Sequence, residues 1–288
     1  MEIKLFGKEN FGESKTFVGL TDKYSTGQVT MVGGSKLFHG APLLALRSAS
    51  RLVSMVYFSS FEEDKGVAEK LKAGLASFVW VEREDVNEYI AKSEAVLIGP
   101  GMMRSHSKEH KFMCDATGEE TRKTSVDLFK KFPDKKWIVD GGTLQVVRAE
   151  DIPQGSVVTP NKKEFEMLFG EKPIDEIDGR CEQVFNIAKR QKLVILTKDA
   201  VSIASDGESV YKIEGGSEGL IKGGVGDVIA GLTLGFLAKN NGLFAVCAAS
   251  YLIKKAAEKL TAERGMMFNA DDLAERLPLV FGDIENGL

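Results

Sequence analysis

Short apolar runs alternate with segments of helical spacing along most of the chain. Gln28-Val29-Thr30-Met31-Val32 is β-prone and ends at Gly33-Gly34-Ser35, and Ala41 to Arg51 follows with apolar residues at helical spacing. The same reading predicts strands at Leu52 to Phe58, Phe78 to Val81, Ala95 to Ile98, Trp137 to Val139, Ser156 to Thr159 and Leu193 to Thr197. Between them it predicts helices at Lys65 to Gly74, Val86 to Lys92, Thr121 to Phe132, Lys162 to Phe169 and Cys181 to Gln191. Asp206-Gly207 between the β-prone runs Val201 to Ala204 and Ser209 to Ile213 signals a hairpin. A glycine-rich loop and two long helices follow. Strands that are apolar throughout, separated by helices, imply a parallel sheet covered on both faces. In such sheets ligands bind beyond the carboxyl ends of the strands. Several of these strands run into Gly, Pro or Asp, as at Gly99-Pro100-Gly101 and Asp140-Gly141-Gly142. With no low-complexity linker, repeat or boundary, residues 1–288 read as one domain.

Composition narrows the classes. Hydrophobic residues make up 43% and charged residues 28% of 288, enough for a large core. The net charge of −4 comes without a block of like charge, which speaks against a nucleic-acid partner. The basic pairs Lys135-Lys136, Lys162-Lys163 and Lys254-Lys255 are expected on solvated faces. The most apolar region, Val228 to Ile253, is split by Lys239-Asn240-Asn241-Gly242 into runs well short of the ~20 residues a membrane span needs, so two buried helices are expected. The N-terminus continues into polar residues, unlike a signal peptide. Three cysteines, Cys114, Cys181 and Cys247, form no CxxC pair, which fits a reducing cytoplasm. His106 and His110 are four apart but lack a third ligand fixed by sequence, and the stretch Met102 to Glu120 reads as a long loop.

The segment richest in chemistry is Lys222-Gly223-Gly224-Val225-Gly226-Asp227-Val228-Ile229-Ala230-Gly231. Glycines strip side chains from a turn that opens a helix, leaving free N–H groups and the positive dipole end for a phosphate. Asp227 stands beside that anion site. A carboxylate there repels phosphate unless it serves as a base for a hydroxyl attacking phosphorus; a plain helix cap is the other reading. Neither a Walker A loop nor a dinucleotide fingerprint fits the spacing.

This segment resembles the ribokinase-like superfamily and, more narrowly, the NAD(P)H-hydrate dehydratases, whose signature is Gly-Gly-Thr-Gly-Asp-Val-Leu-Ala-Gly. The resemblance spans roughly residues 27 to 280. Gly33-Gly34-Ser35 with His39-Gly40-Ala41-Pro42 is similar to the family's early Gly-Gly-Ser and Tyr-x-Gly-Ala-Pro segment, and Gly99-Pro100-Gly101 to its Gly-Pro-Gly turn. Asp140 and Lys198 to Ser202 match more weakly. The resemblance implies a ribokinase-like α/β fold, a central mostly parallel sheet with helices on both faces. It implies an enzyme that phosphorylates the hydroxyl of hydrated NADH or NADPH with ADP or ATP, after which phosphate leaves and the cofactor is restored. Asp227 would be the base, and Gly224, Val225 and Gly226 would hold the phosphoryl group. Lys198, Asp199, Ala200, Val201, Ser202 and Gly226 would contact the adenine nucleotide; Ala41, Gly101, Asn161 and Asp227 would face the hydrated cofactor. Mg2+ would accompany the nucleotide, with Glu164 as its candidate ligand. A homo-oligomer is implied as well.

The chain departs from the pattern at several positions. It has Val225 for Thr, Asn161 for His, Asp199 for Gly, Ser217 for Asn and Met102-Met103 for Leu-Gly. Asn161 and Glu164 form the Asn-x-x-Glu of the sugar-kinase branch, so a small-molecule kinase for a sugar or vitamin precursor is the alternative. A nucleotide-binding protein without catalysis is the third reading.

Overall fold

The computed structural model describes residues 1–60, 73–104 and 116–287. One ten-stranded sheet takes strands β1 (Ile3–Leu5), β2 (Gln28–Gly33), β3 (Met55–Ser60), β4 (Val79–Trp80), β5 (Ala95–Ile98), β6 (Lys136–Val139), β7 (Val157–Val158), β8 (Val194–Thr197), β9 (Ser202–Ser205) and β10 (Val210–Ile213). Their order across the sheet is β1-β10-β9-β8-β7-β6-β5-β2-β3-β4. All neighbours pair in parallel except β9, which runs antiparallel to β8 and to β10, the latter across the Asp206-Gly207 turn.

The strands are apolar throughout because each face packs on its own core. In β5, Ala95 and Leu97 join one cluster, while Val96 and Ile98 join the other. Helices Gly40–Ala49, Val225–Leu237, Gly242–Arg264 and Ala270–Glu285 cover the first face. Helices Val86–Lys92, Ala116–Lys131, Lys162–Phe169 and Ile177–Gln191 cover the second. The result is a three-layer α/β/α arrangement: a sheet covered on both faces, as the pattern predicted, and mostly parallel, as the resemblance implied. The two apolar C-terminal runs are core helices: eleven of the thirteen residues of Val225–Leu237 are buried. Among the described residues no helix is long and apolar enough to cross a membrane.

Differences from the sequence reading are local. The pattern did not show β1, the four-residue helix Lys8–Phe11 or the helix Ala270–Glu285. Strand β3 begins at Met55, because Leu52 packs against the Gly235 turn of helix Val225–Leu237 instead of entering the sheet. The helix expected at Lys65 to Gly74 lies, but for its last two residues, outside the described residues, as do His106, His110, Cys114 and residues 105–115 of the Met102 to Glu120 stretch; the end of that stretch is not loop, since the helix expected from Thr121 begins at Ala116.

One close approach fixes where the long helix begins. A Cβ on Gly231 would stand 2.1 Å from the Ala45 carbonyl oxygen, so only glycine lets helices Val225–Leu237 and Gly40–Ala49 touch backbone to backbone. That contact sets the N-terminus of the former beside Ala41, at the carboxyl edge of the sheet.

Candidate active site

The parallel strands β2, β5, β6, β7 and β8 release the chain at one edge. Ala41 lies after β2, Gly101 after β5, Asp140 after β6, Asn161 after β7 and Lys198 after β8, and all line one cleft of about 760 Å³. Four inter-strand steps separate β8 from β2, or roughly 19 Å at the usual strand spacing. The first turn of helix Val225–Leu237 also lines this cleft.

That helix begins at Gly224, whose φ of +90° is a left-handed conformation that favours glycine. A Cβ there would press on Leu44 at 2.6 Å and on Ala270 at 2.9 Å. The first intrahelical bond runs from the Val228 N–H to the Gly224 carbonyl, and among the described residues no backbone carbonyl accepts from the amides of Gly224, Val225 and Gly226. The cleft therefore presents bare donors at the positive end of a long helix.

Four charged groups meet below them. Lys198 Nζ donates to Asp140 Oδ1 at 2.7 Å, and Thr159 Oγ1 donates to the same oxygen at 2.6 Å. The lysine lies under the glycine loop: a Cβ on Gly226 would be 3.1 Å from its Nζ. Burial alone would lower the Lys198 pKa, but the carboxylates of Asp140 and Glu164, the Asp140 hydrogen bond and Asp227 hold it above the ordinary value. Asp227 is pushed up to about 7, first by burial, with Asp140 and Glu164 adding to the rise and Lys198 opposing it. Among the described residues, no other residue donates a hydrogen bond to its carboxyl group. It is a carboxylate poised to take a proton near neutral pH.

Asn161 and Glu164 have a local reason to stand three apart. Asn161 caps helix Lys162–Phe169, its Oδ1 accepting from the N–H groups of Lys163 and Glu164 at 3.0 Å each. Glu164 answers as a capping box, Oε2 accepting from the Asn161 N–H at 2.9 Å and Oε1 from Gln145 Nε2 at 3.2 Å. Burial, as the main cause, raises the Glu164 pKa, with Lys198 opposing. Both Glu164 oxygens thus have donors already, and among the described residues no three His, Cys, Asp or Glu side chains converge as a metal cage. The set suits a Mg2+ ion that arrives on nucleotide phosphates and keeps its waters, as that ion does.

On the β8 side, Lys198, Asp199, Ala200 and Ser202 line the cleft; Val201 is the member of that run that does not. Asp199 pairs with Arg180 at 2.7 Å and Lys162 at 3.2 Å. Burial works to raise its pKa, yet the Ala200 N–H and these two cations keep it below the usual carboxylate value. Lys254 is a correction to the sequence reading: expected on a solvated face, it is 2% exposed and lines the cleft. Its helix turns it inward, since Ser250, Ile253 and Ala257, at helical spacing around it, are also buried. That apolar spacing was the available signal. Asp140, read only as a weak match, proves central because it anchors Lys198. Met102 and Met103 are both buried, and Met102 also floors the cleft.

Known proteins share this fold. A ribokinase-like superfamily protein from Enterococcus faecalis V583 shares the fold with a TM-score of 0.80 at 19% identity, covering 98% of this chain and 96% of that one. An ADP/ATP-dependent NAD(P)H-hydrate dehydratase from Bacillus subtilis, co-crystallised with ATP/Mg2+, superposes with a TM-score of 0.79 at 22% identity over 99% and 100% of the two chains. These likenesses show a ribokinase-like α/β fold. Within it, the family model for NAD(P)H-hydrate dehydratase matches residues 29–279, and the chain belongs to that family. A relative from Cenarchaeum symbiosum (strain A), an ADP-dependent (S)-NAD(P)H-hydrate dehydratase, is 26% identical over 268 residues, covering 90% of this chain and 89% of the relative. Against the bifunctional NAD(P)H-hydrate repair enzymes that also match, the chain spans about half the length, 48% for that of Hyperthermus butylicus.

Proposed function

We propose that this chain catalyses the dehydration of hydrated NADH and NADPH, driven by ADP or ATP. Hydroxide is a poor leaving group, so the ring hydroxyl must first become a better one. The hydroxyl oxygen attacks the terminal phosphorus of the nucleotide while its proton passes to Asp227. The bond from that phosphorus to the nucleotide breaks, leaving AMP from ADP or ADP from ATP. The carbon–oxygen bond of the phosphate ester then breaks, phosphate departs, and the neighbouring carbon loses a proton to restore the ring double bond.

The observation that carries this reading is Asp227, with its pKa about 7, beside the free amides that open helix Val225–Leu237. Gly224, Val225 and Gly226 hold the transferred phosphoryl group, where one such donor is typically worth ~3 kcal/mol in the transition state. Lys198 balances its charge from below. Lys198, Asp199, Ala200, Ser202 and Gly226 take the nucleotide at the β8 end; Ala41 and Gly101 take the hydrated ring at the β2 and β5 end, with Asn161 reaching the cleft from the end of β7 between them. When the nucleotide is bound, Mg2+ would offset its phosphate charge, and Glu164 is the residue that would help to hold it. Asn161 and Glu164 stand three apart to cap a helix, so their pairing gives no separate support to a sugar kinase. We place the enzyme in the cytoplasm, as the free cysteines Cys181 and Cys247 suit. We further propose a homo-oligomer that covers the exposed Leu37, Ile221 and Met267, to be checked by light scattering.

The test is recovery of reduced-nicotinamide absorbance from hydrated NADH with ADP or ATP and Mg2+. Recovery that depends on nucleotide is expected. No recovery with either nucleotide, from protein shown to be folded, removes the proposal.

A further inference from the structure

We propose that Lys254 is a positioning residue for the nucleotide, its buried side chain tying the 199–200 turn to Gly215 and so setting one wall of the cleft. The inference rests on the nucleotide reading of Lys198 to Ser202. Lys254 lies on helix Gly242–Arg264, touches none of the reacting groups described above, and is 2% exposed. Its ammonium group donates to the carbonyl oxygens of Ala200 at 2.5 Å, Gly215 at 3.1 Å and Asp199 at 3.4 Å. Its stem runs under Gly216, where a Cβ would come within 3.1 Å of Lys254 Cγ. One turn on, Glu258 accepts from the Gly216 N–H at 2.9 Å and pairs with Lys255 at 2.8 Å. One helix face thus grips the 215–216 loop by a carbonyl and an amide, and the 199–200 turn by two carbonyls. Asp199, Ala200, Gly215 and Gly216 all line the cleft with Lys254.

Among the described residues the cation has no carboxylate within hydrogen-bonding distance, only carbonyls. Burying a charge this way is costly unless every donor is used, and here three carbonyls match three N–H groups. The neutral amine keeps only two N–H groups, so one carbonyl then loses its donor. Burial brings the Lys254 pKa down to about 8, against the opposing pull of Asp199, Glu258 and Glu214, the carboxylates that face it. The wall should therefore loosen as pH rises through 8.

The experiment is calorimetric titration of the full chain with ADP and ATP between pH 7 and pH 9, with steady-state kinetics alongside, for wild type, Lys254→Met and Glu258→Gln. In wild type, nucleotide Kd should weaken severalfold across that range. In Lys254→Met it should be about tenfold weaker at pH 7 and flat with pH, the loss falling on KM for the nucleotide and sparing KM for the hydrated cofactor. Glu258→Gln should weaken nucleotide binding at pH 7 and move the pH dependence to lower pH, since the Glu258 carboxylate holds the Lys254 pKa up, and it keeps the test open should Lys254→Met not fold. Wild-type affinity that is level from pH 7 to pH 9, or a Lys254→Met protein with wild-type affinity and pH dependence, overturns the inference. A wild-type chain that binds neither nucleotide overturns the parent reading instead.

Discussion

Asp227 carries opposite consequences for catalysis and for stability. Its pKa of about 7 means that the base form accumulates as pH rises through neutrality. The kcat/KM should climb about tenfold per pH unit below 7 and level off above it, measured at pH values below the Lys254 transition. For stability, the folded-state value lies above the unfolded value near 3.8. The folded state then binds more protons between the two, so the stabilising contribution is complete below about 3.8 and is lost as pH rises through 7. Asp227→Asn should therefore melt several degrees higher than wild type at pH 8, for a gain of at most about 4 kcal/mol, and lose turnover. Asp140 differs in kind. Removing its charge takes from Lys198, whose side chain is 14% exposed, the carboxylate it donates to, at a cost below the ~3–5 kcal/mol of a fully buried pair, since Glu164 and Asp227 still face the lysine. Asp140→Asn should melt markedly lower at neutral pH, as thermal unfolding would show. The sequence pointed to Asp227 through its neighbours, the glycines. Asp140 and Gln145 act through Lys198 and Glu164, partners distant in the chain, so a strand-end position marked Asp140 but not its contact; for Lys254 the only local sign was the buried spacing of its helix.

At the scale of the element, the glycines of the loop divide by what they do. Gly224 is conformational: at φ +90° with Leu44 and Ala270 against it, Gly224→Ala should destabilise by about 1–3 kcal/mol. Gly223 meets nothing within 4 Å of a built Cβ, yet it lines the cleft. Under the proposed anion site, Gly223→Ala should keep the wild-type melting temperature and lose turnover at least tenfold, because the added methyl would narrow the approach of the phosphoryl group to the amides of Gly224, Val225 and Gly226. Equal turnover in that variant would move the anion site elsewhere. The loop and the helix after it were legible because glycine content and apolar spacing are local signals. The helix Ala270–Glu285 carried its own marks, an Asn269–Asp272 capping box and buried Leu273, Leu277, Val280 and Ile284. Pro278 within it breaks the expected pattern. Strand β1 is three residues on the edge beside β10, too short to show any period.

For the whole molecule, the alternation of strands and helices was enough to read a parallel sheet covered on both faces. The strand order was not, since β2 lies between β3 and β5 and the chain steps across it without a local mark. That order matters for function, because it spreads Ala41, Gly101, Asp140, Asn161 and Lys198 along one edge. The cleft then has room for a donor at one end, an acceptor at the other, and the amides between. Nucleotide present at a hundredfold over its Kd should stabilise the fold by about 2.7 kcal/mol and raise the melting temperature by about 5 °C. The central claim is that Asp227 and the neighbouring amides move a phosphoryl group onto the ring hydroxyl. Its most direct test is phosphate release from ADP or ATP in the presence of hydrated NADH, followed together with nicotinamide absorbance, in wild type and in Asp227→Asn. The account predicts phosphate and reduced cofactor formed one for one by wild type, and neither by Asp227→Asn although it still binds nucleotide. Wild-type rates in Asp227→Asn, or cofactor recovery without phosphate release, would contradict it.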